Sequence, residues 1–162
     1  MLKSEPREPS YQLREGRRAL EGLSALTLLS DFEWSETYQR WFLLYRFDLP
    51  YLPDDSELQV TQWYILIDDV YPFGRIDFFP SKIQGLTKTY QHQSFNSLGV
   101  EEVSWRTGNI CLSTELRTLG RFGHDVEPIG ETIRLFWHCE RAIQWLEAAA
   151  SNNLAQSGDY FE

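Results

Sequence analysis

The sharpest chemistry the chain offers is a nucleophilic thiol, Cys111, in the run Trp105-Arg106-Thr107-Gly108-Asn109-Ile110-Cys111-Leu112-Ser113-Thr114. It follows a glycine turn, sits between two aliphatic residues, and lies downstream of a segment carrying His92 and Asn96. A free thiol is only a few per cent ionised near neutral pH, so a reactive cysteine needs a cation, a histidine or an aligned backbone amide beside it. Arg106, His92 and His124 are the candidates for that company. The bland reading stands next to this one. Cysteine is among the most often buried residue types, and Ile-Cys-Leu also describes an inert core strand. A structural place on a surface loop competes in the same way with a direct role for His124.

Other chemistry is thin. No Gly-rich nucleotide loop precedes a helix and no paired Cys-x-x-Cys suggests zinc, so no cofactor and no metal are expected. Cys139 falls on an apolar helical stripe and is assigned to packing. Trp34, Trp41 and Trp63 read as core or interface aromatics. The 15 basic residues are outnumbered by 24 acidic ones, for a net charge of −9. Phosphate backbones and anionic lipids are bound through Lys and Arg, so no nucleic acid and no membrane are expected as partners. Arg14, Arg17 and Arg18 fit a solvated helix face, and Asp54, Asp55 and Glu57 could steer a basic partner. Two cysteines far apart make no disulfide framework, the first six residues lack the apolar stretch of a signal peptide, and no apolar run approaches about 20 residues. The expected location is cytoplasmic, with reduced thiols.

The elements that must position Cys111 follow from period and punctuation. At 162 residues the chain has the length of one compact domain. Residues 1–9, polar and holding two prolines, read as a flexible leader, and 10–162 as a single domain. Ser10 is a capping residue that opens a helical pattern, with Tyr11, Leu13, Ala19, Leu20 and Leu23 as candidate core contacts. Residues 25–29, 41–47, 62–67 and 75–79 are short, aromatic and aliphatic, and read as strands. Their short links imply an antiparallel meander, because parallel pairing would need long crossovers. Between the last two, Tyr71-Pro72-Phe73-Gly74 makes a turn. The sheet needs a cover, and residues 131–150 supply a helix with Ile133, Phe136, Cys139, Ile143, Leu146 and Ala150 at helical spacing. That leaves a long connection, 80–130, around the cysteine. Connections of such length inside a compact domain are usually functional.

Together, the helix, the meander, Tyr71-Pro72-Phe73 before the last strand, and Gly108-Asn109-Ile110-Cys111-Leu112 resemble the ubiquitin-conjugating enzyme family. The closer similarity is to its bacterial, CBASS-associated members, which stand alone or are fused to an adenylating domain. It rests on Trp105-Arg106-Thr107-Gly108, Arg134-Leu135-Phe136-Trp137, Trp145-Leu146-Glu147-Ala148-Ala149 and the closing Gly158-Asp159-Tyr160-Phe161-Glu162. The resemblance implies an α+β ubiquitin-conjugating-enzyme-like fold: N-terminal helix, four-stranded antiparallel meander, long active-site loop, and C-terminal helix covering the sheet. It also implies an acyltransferase in which Cys111 carries a protein C-terminus as a thioester and passes it to an amine. Acyl transfer needs a thiolate, a donor for the developing oxyanion and open access for two large partners.

The partners implied are an adenylating enzyme or domain, which would use any ATP, and either the C-terminus of a cyclic-oligonucleotide synthase (CD-NTase) or a separate ubiquitin-like protein. A noncatalytic binding module of the same fold is the contrasting expectation, against which the presence of the cysteine counts. Eukaryotic members place a His-Pro-Asn triplet before the cysteine. Here the nearest match is His92-Gln93-Ser94-Phe95-Asn96, without proline and with a longer insert through Val103. The resemblance assigns His92 and Asn96 to the catalytic site; in the alternative, Asn96 caps a turn and His92 packs.

Overall fold

The computed structural model describes residues 6–110, 112 and 127–152. The described residues form an α+β structure of two α-helices, a short 3-10 turn and one four-stranded antiparallel sheet. α1 spans Tyr11–Ala19, and the Ser10 hydroxyl accepts the Leu13 N–H at 3.2 Å, as its capping position requires. A one-turn 3-10 extension, Leu20–Gly22, leads into the sheet. The strands are β1 Leu26–Ser35, β2 Arg40–Asp48, β3 Val60–Ile67 and β4 Ile76–Pro80, in the spatial order β1-β2-β3-β4. After the long connection, α2 spans Arg134–Ala150. No helix among the described residues is long and apolar enough to cross a membrane.

β2 shows why the sheet has two different faces. Trp41, Leu43, Tyr45 and Phe47 alternate into the core while Phe42, Leu44 and Arg46 face the other way. Opposite them on β3, Trp63, Ile65 and Ile67 continue the buried layer, and Leu13, Leu20, Leu135, Cys139, Ala142, Trp145 and Leu146 close it from the helices. Trp145 meets Trp63 edge to face, with centroids 6.2 Å apart, so α2 packs directly on the sheet.

Element bounds and burial differ in places from those read in the sequence. β1 runs on to Ser35, through Asp31 and Glu33, because its polar residues alternate toward solvent while Phe32 and Trp34 stay half-buried. α2 begins at Arg134, so Ile133 lies outside the stripe and exposed, and Leu135 and Trp145 carry the burial instead. Tyr11 is likewise exposed, and Leu13, Gly16 and Leu20 form the inner face of the first helical segment. Gly16 has no room for a side chain: a Cβ there would sit 2.8 Å from the Tyr71 hydroxyl. Within residues 6–9, Arg7 lies 3.8 Å over the Trp34 ring and pairs with Asp69 at 3.0 Å.

Candidate active site

Cys111 and His124, with residues 113–126, lie outside the described residues; the site is therefore built from what flanks them. Ile110 and Leu112, on either side of position 111, are both buried in the main core. The segment leading to them is tied to β4. The Ile110 N–H donates to the Phe78 carbonyl at 3.2 Å, and the Asn109 Oδ1 accepts the Phe78 N–H at 3.2 Å. Asn109 Nδ2 donates to Asp77 Oδ1 at 3.1 Å.

Asp77 is in turn the centre of a buried charge network. Its Oδ2 receives the Arg40 guanidinium at 2.6 Å and Arg75 at 3.1 Å. Arg40 also donates to the carbonyls of Leu66 and Arg75. Its Nε lies 3.0 Å from Asp68 Oδ1, near enough for charge pairing but off line for a hydrogen bond. A chain of contacts thus runs from β2 through β4 to the residue two places before the cysteine.

On the other side, residues 93–97 run beside 107–110. The Ser94 N–H donates to the Asn109 carbonyl at 2.9 Å, Gln93 and Ile110 form an antiparallel bridge, and Thr107 and Ser97 bond through backbone and hydroxyls. The Gln93 side chain accepts the Tyr90 N–H and donates to the Gly108 carbonyl. Gly108 is needed here: a Cβ would come within 2.6 Å of Asn96 and of the Gln93 amide.

The two catalytic candidates in this segment are placed differently. Asn96 is 5% exposed. Its Nδ2 donates to the carbonyls of Leu86 (2.6 Å) and Lys88 (2.9 Å), which uses both amide hydrogens, and its Oδ1 accepts from Arg106 Nε at 3.1 Å. Arg106 also reaches the Asn96 carbonyl at 3.3 Å, so two nitrogens of its guanidinium hold this loop. His92 is half-buried on left-handed backbone, φ 61°.

Trp105 anchors the segment from the far face of the sheet. It is buried among Phe42, Tyr64 and Tyr38, with centroids 5.2 to 5.5 Å away. Main-chain bonds from Lys82 to Ser104 and from Arg106 to Pro80 fasten its neighbours to the end of β4.

A cluster not anticipated from the sequence closes the site. Glu127 Oε1 accepts from Arg134 Nε at 2.8 Å and from His138 Nε2 at 2.5 Å. The His138 hydrogen bond, with the Arg134 charge behind it, pulls the Glu127 carboxyl down to about 2. His138 is 5% exposed, and burial favours its neutral form; the Glu127 carboxylate pulls the other way, and the smaller effects of the Arg134 and Arg141 charges add to that of burial, so the net shift is downward. A neutral ring donating from Nε2 satisfies both groups and leaves Nδ1 without a hydrogen-bond partner among the described residues. Arg134 also donates to the carbonyls of Pro72 and Gly74, which locks this corner to the Tyr71-Pro72-Phe73 turn. Between the cluster and β4 lies a cavity of about 350 Å³, lined by Asp77, Asn109, Ile110, Leu112, Glu127 and His138 among others. The signal for the cluster was in the sequence: Arg134, His138 and Arg141 recur at helical spacing on α2. Cys139 is fully buried and its thiol is pushed up by burial, which suits packing and not chemistry.

No family model matches the chain. Over 129 residues, 76% of its length, it is 30% identical to the ATP-dependent ubiquitin transferase-like protein Cap2 of Enterobacter hormaechei subsp. hoffmannii (strain UCI 50). The chain spans 21% of that protein's length, so its similarity is to one part of a larger ubiquitin transferase-like polypeptide.

Proposed function

We propose that the chain is a ubiquitin-conjugating-like acyltransferase, with the fold of that family, working through Cys111. The observation that carries this reading is its 30% identity to Cap2, a ubiquitin transferase-like protein. A segment bonded to β4 and buried at Ile110 and Leu112 is a fitting mount for a nucleophile, since a held thiol needs little reorganisation before attack.

In this reading the Cys111 thiolate attacks the carbonyl of a carboxyl activated by an adenylating enzyme or domain; the bond to the activating group breaks, AMP or the activating enzyme's thiolate leaves, and a thioester forms on Cys111. An amine then attacks the thioester carbonyl, the C–S bond breaks, an amide forms, and the ammonium proton passes to water or to His92. Asn96, with both amide hydrogens engaged, acts as a positioning residue that holds the loop through Arg106 and the carbonyls of Leu86 and Lys88. The setting we favour is a CBASS antiphage system, with the C-terminus of the CD-NTase as the carried carboxyl and conjugation as the step that primes it.

The test mixes the chain with ATP, the activating enzyme and the synthase encoded beside it, and follows adducts on non-reducing gels. A reducible adduct that disappears in Cys111→Ala is expected. No adduct, or one unchanged in Cys111→Ala, overturns the reading.

A further inference from the structure

On either side of the buried Asn96 in sequence the surface changes character. Phe95 is 79% exposed, Leu98 59% and Val100 51%. Ile83, 71% exposed, is brought near this loop by its neighbour Lys82, which bonds through its backbone to Ser104 and through its ammonium to the Val100 carbonyl. Large apolar side chains exposed together on one loop mark an interaction site. This loop is also rigid where it meets the site. The Phe95 carbonyl accepts the Thr107 hydroxyl at 2.6 Å, and its neighbour Ser94 bonds to Asn109, two residues from Cys111.

We propose that Phe95, Leu98, Val100 and Ile83 dock the acceptor polypeptide, as an extended segment with apolar residues flanking the lysine that receives the carried carboxyl. This rests on the transferase reading above. Two arguments choose the acceptor over the carried chain. A carried chain is tethered to the thiol covalently, so its effective concentration is high without contacts, whereas an acceptor arrives from solution and depends on them. Exposed Glu101 and Glu102 at the end of the apolar run suit a segment bearing a cationic lysine.

The test has two arms. A fluorescein-labelled nonapeptide with one lysine between leucines, and a control with serines in place of the leucines, are titrated into the unmodified chain and into Phe95→Ser/Leu98→Ser/Val100→Ser. The leucine peptide is expected to bind the unmodified chain about tenfold tighter than the control does, and the triple variant to lose that preference. Equal binding of the two peptides overturns the docking site. In the second arm the Cys111 adduct, loaded by the activating enzyme, is discharged to the leucine peptide and to free lysine. The peptide-to-lysine rate ratio is expected to fall about tenfold in the variant. An unchanged ratio overturns the acceptor assignment. Failure of the unmodified chain to form any adduct overturns the transferase reading instead, and the binding arm still decides the docking site.

Discussion

Asn109 holds Asp77 while Asp77 holds Arg40: the 3.1 Å amide-to-carboxylate bond and the 2.6 Å ion pair share one buried carboxylate. Removing it leaves a buried guanidinium facing Asp68 alone among carboxylates. Asp77→Ala is therefore expected to lower the unfolding free energy by about 3 kcal/mol, at the low end for a broken buried pair because Asp68 and two carbonyls remain. Urea titration measures it, and a loss below about 1 kcal/mol would show that the network is not under load.

Tyr71 supplies the cap that α2 lacks. No side chain of the helix's own start bonds its free amides, but the Tyr71 hydroxyl accepts the Leu135 N–H at 3.0 Å and donates to the Glu131 carbonyl at 2.7 Å. Tyr71→Phe removes only that oxygen. It is expected to cost about 1–2 kcal/mol, as other cap losses do, with the far-ultraviolet spectrum at low temperature retained. A variant as stable as the parent would mean that water takes over both bonds.

Asn96 separates positioning from direct stabilisation of an oxyanion. Because its amide spans three partners, Asn96→Ala is expected to lose about 2 kcal/mol of stability and to slow adduct formation together. Parallel measurements of urea midpoint and adduct rate decide it. A large drop in rate at unchanged midpoint would return Asn96 to contact with the reacting carbonyl.

The Glu127–His138 pair predicts how stability depends on pH. His138 is lowered from its usual 6.5, so below that pH the unfolded chain takes up a proton that the folded chain refuses, and stability falls. Glu127 is lowered from 4.5 to about 2, so its contribution is complete above 4.5 and fades between 4.5 and 2. His138→Gln is expected to flatten the midpoint-versus-pH curve just below about 6.5. An identical curve for both chains would place the titration on another group.

Much of this was legible in the residues. Ser10 announced α1, and the aromatic alternation of Trp41 to Phe47 gave the central strand and its buried face. The parts that were not legible depend on contacts remote in sequence. The Tyr71 hydroxyl reaches Leu135 across 64 residues, and nothing near Leu135 shows that its amide is capped from outside. Asn96 could be read either as a catalytic residue or as a turn cap, and its partners at 86, 88 and 106 are too remote for the sequence to display. Phe95 and Leu98 lie in a connection whose lack of period says nothing about burial, and only the loop pinned by Thr107 shows them outside.

β1 is an outer strand, and its pairing with β2 slips between Leu28 and Ser30 and again between Ser30 and Glu33. Each slip twists the rim and spoils the even row of amides and carbonyls that a foreign strand would need for zippering on. This sheet margin is thereby poorly suited to self-association by strand addition.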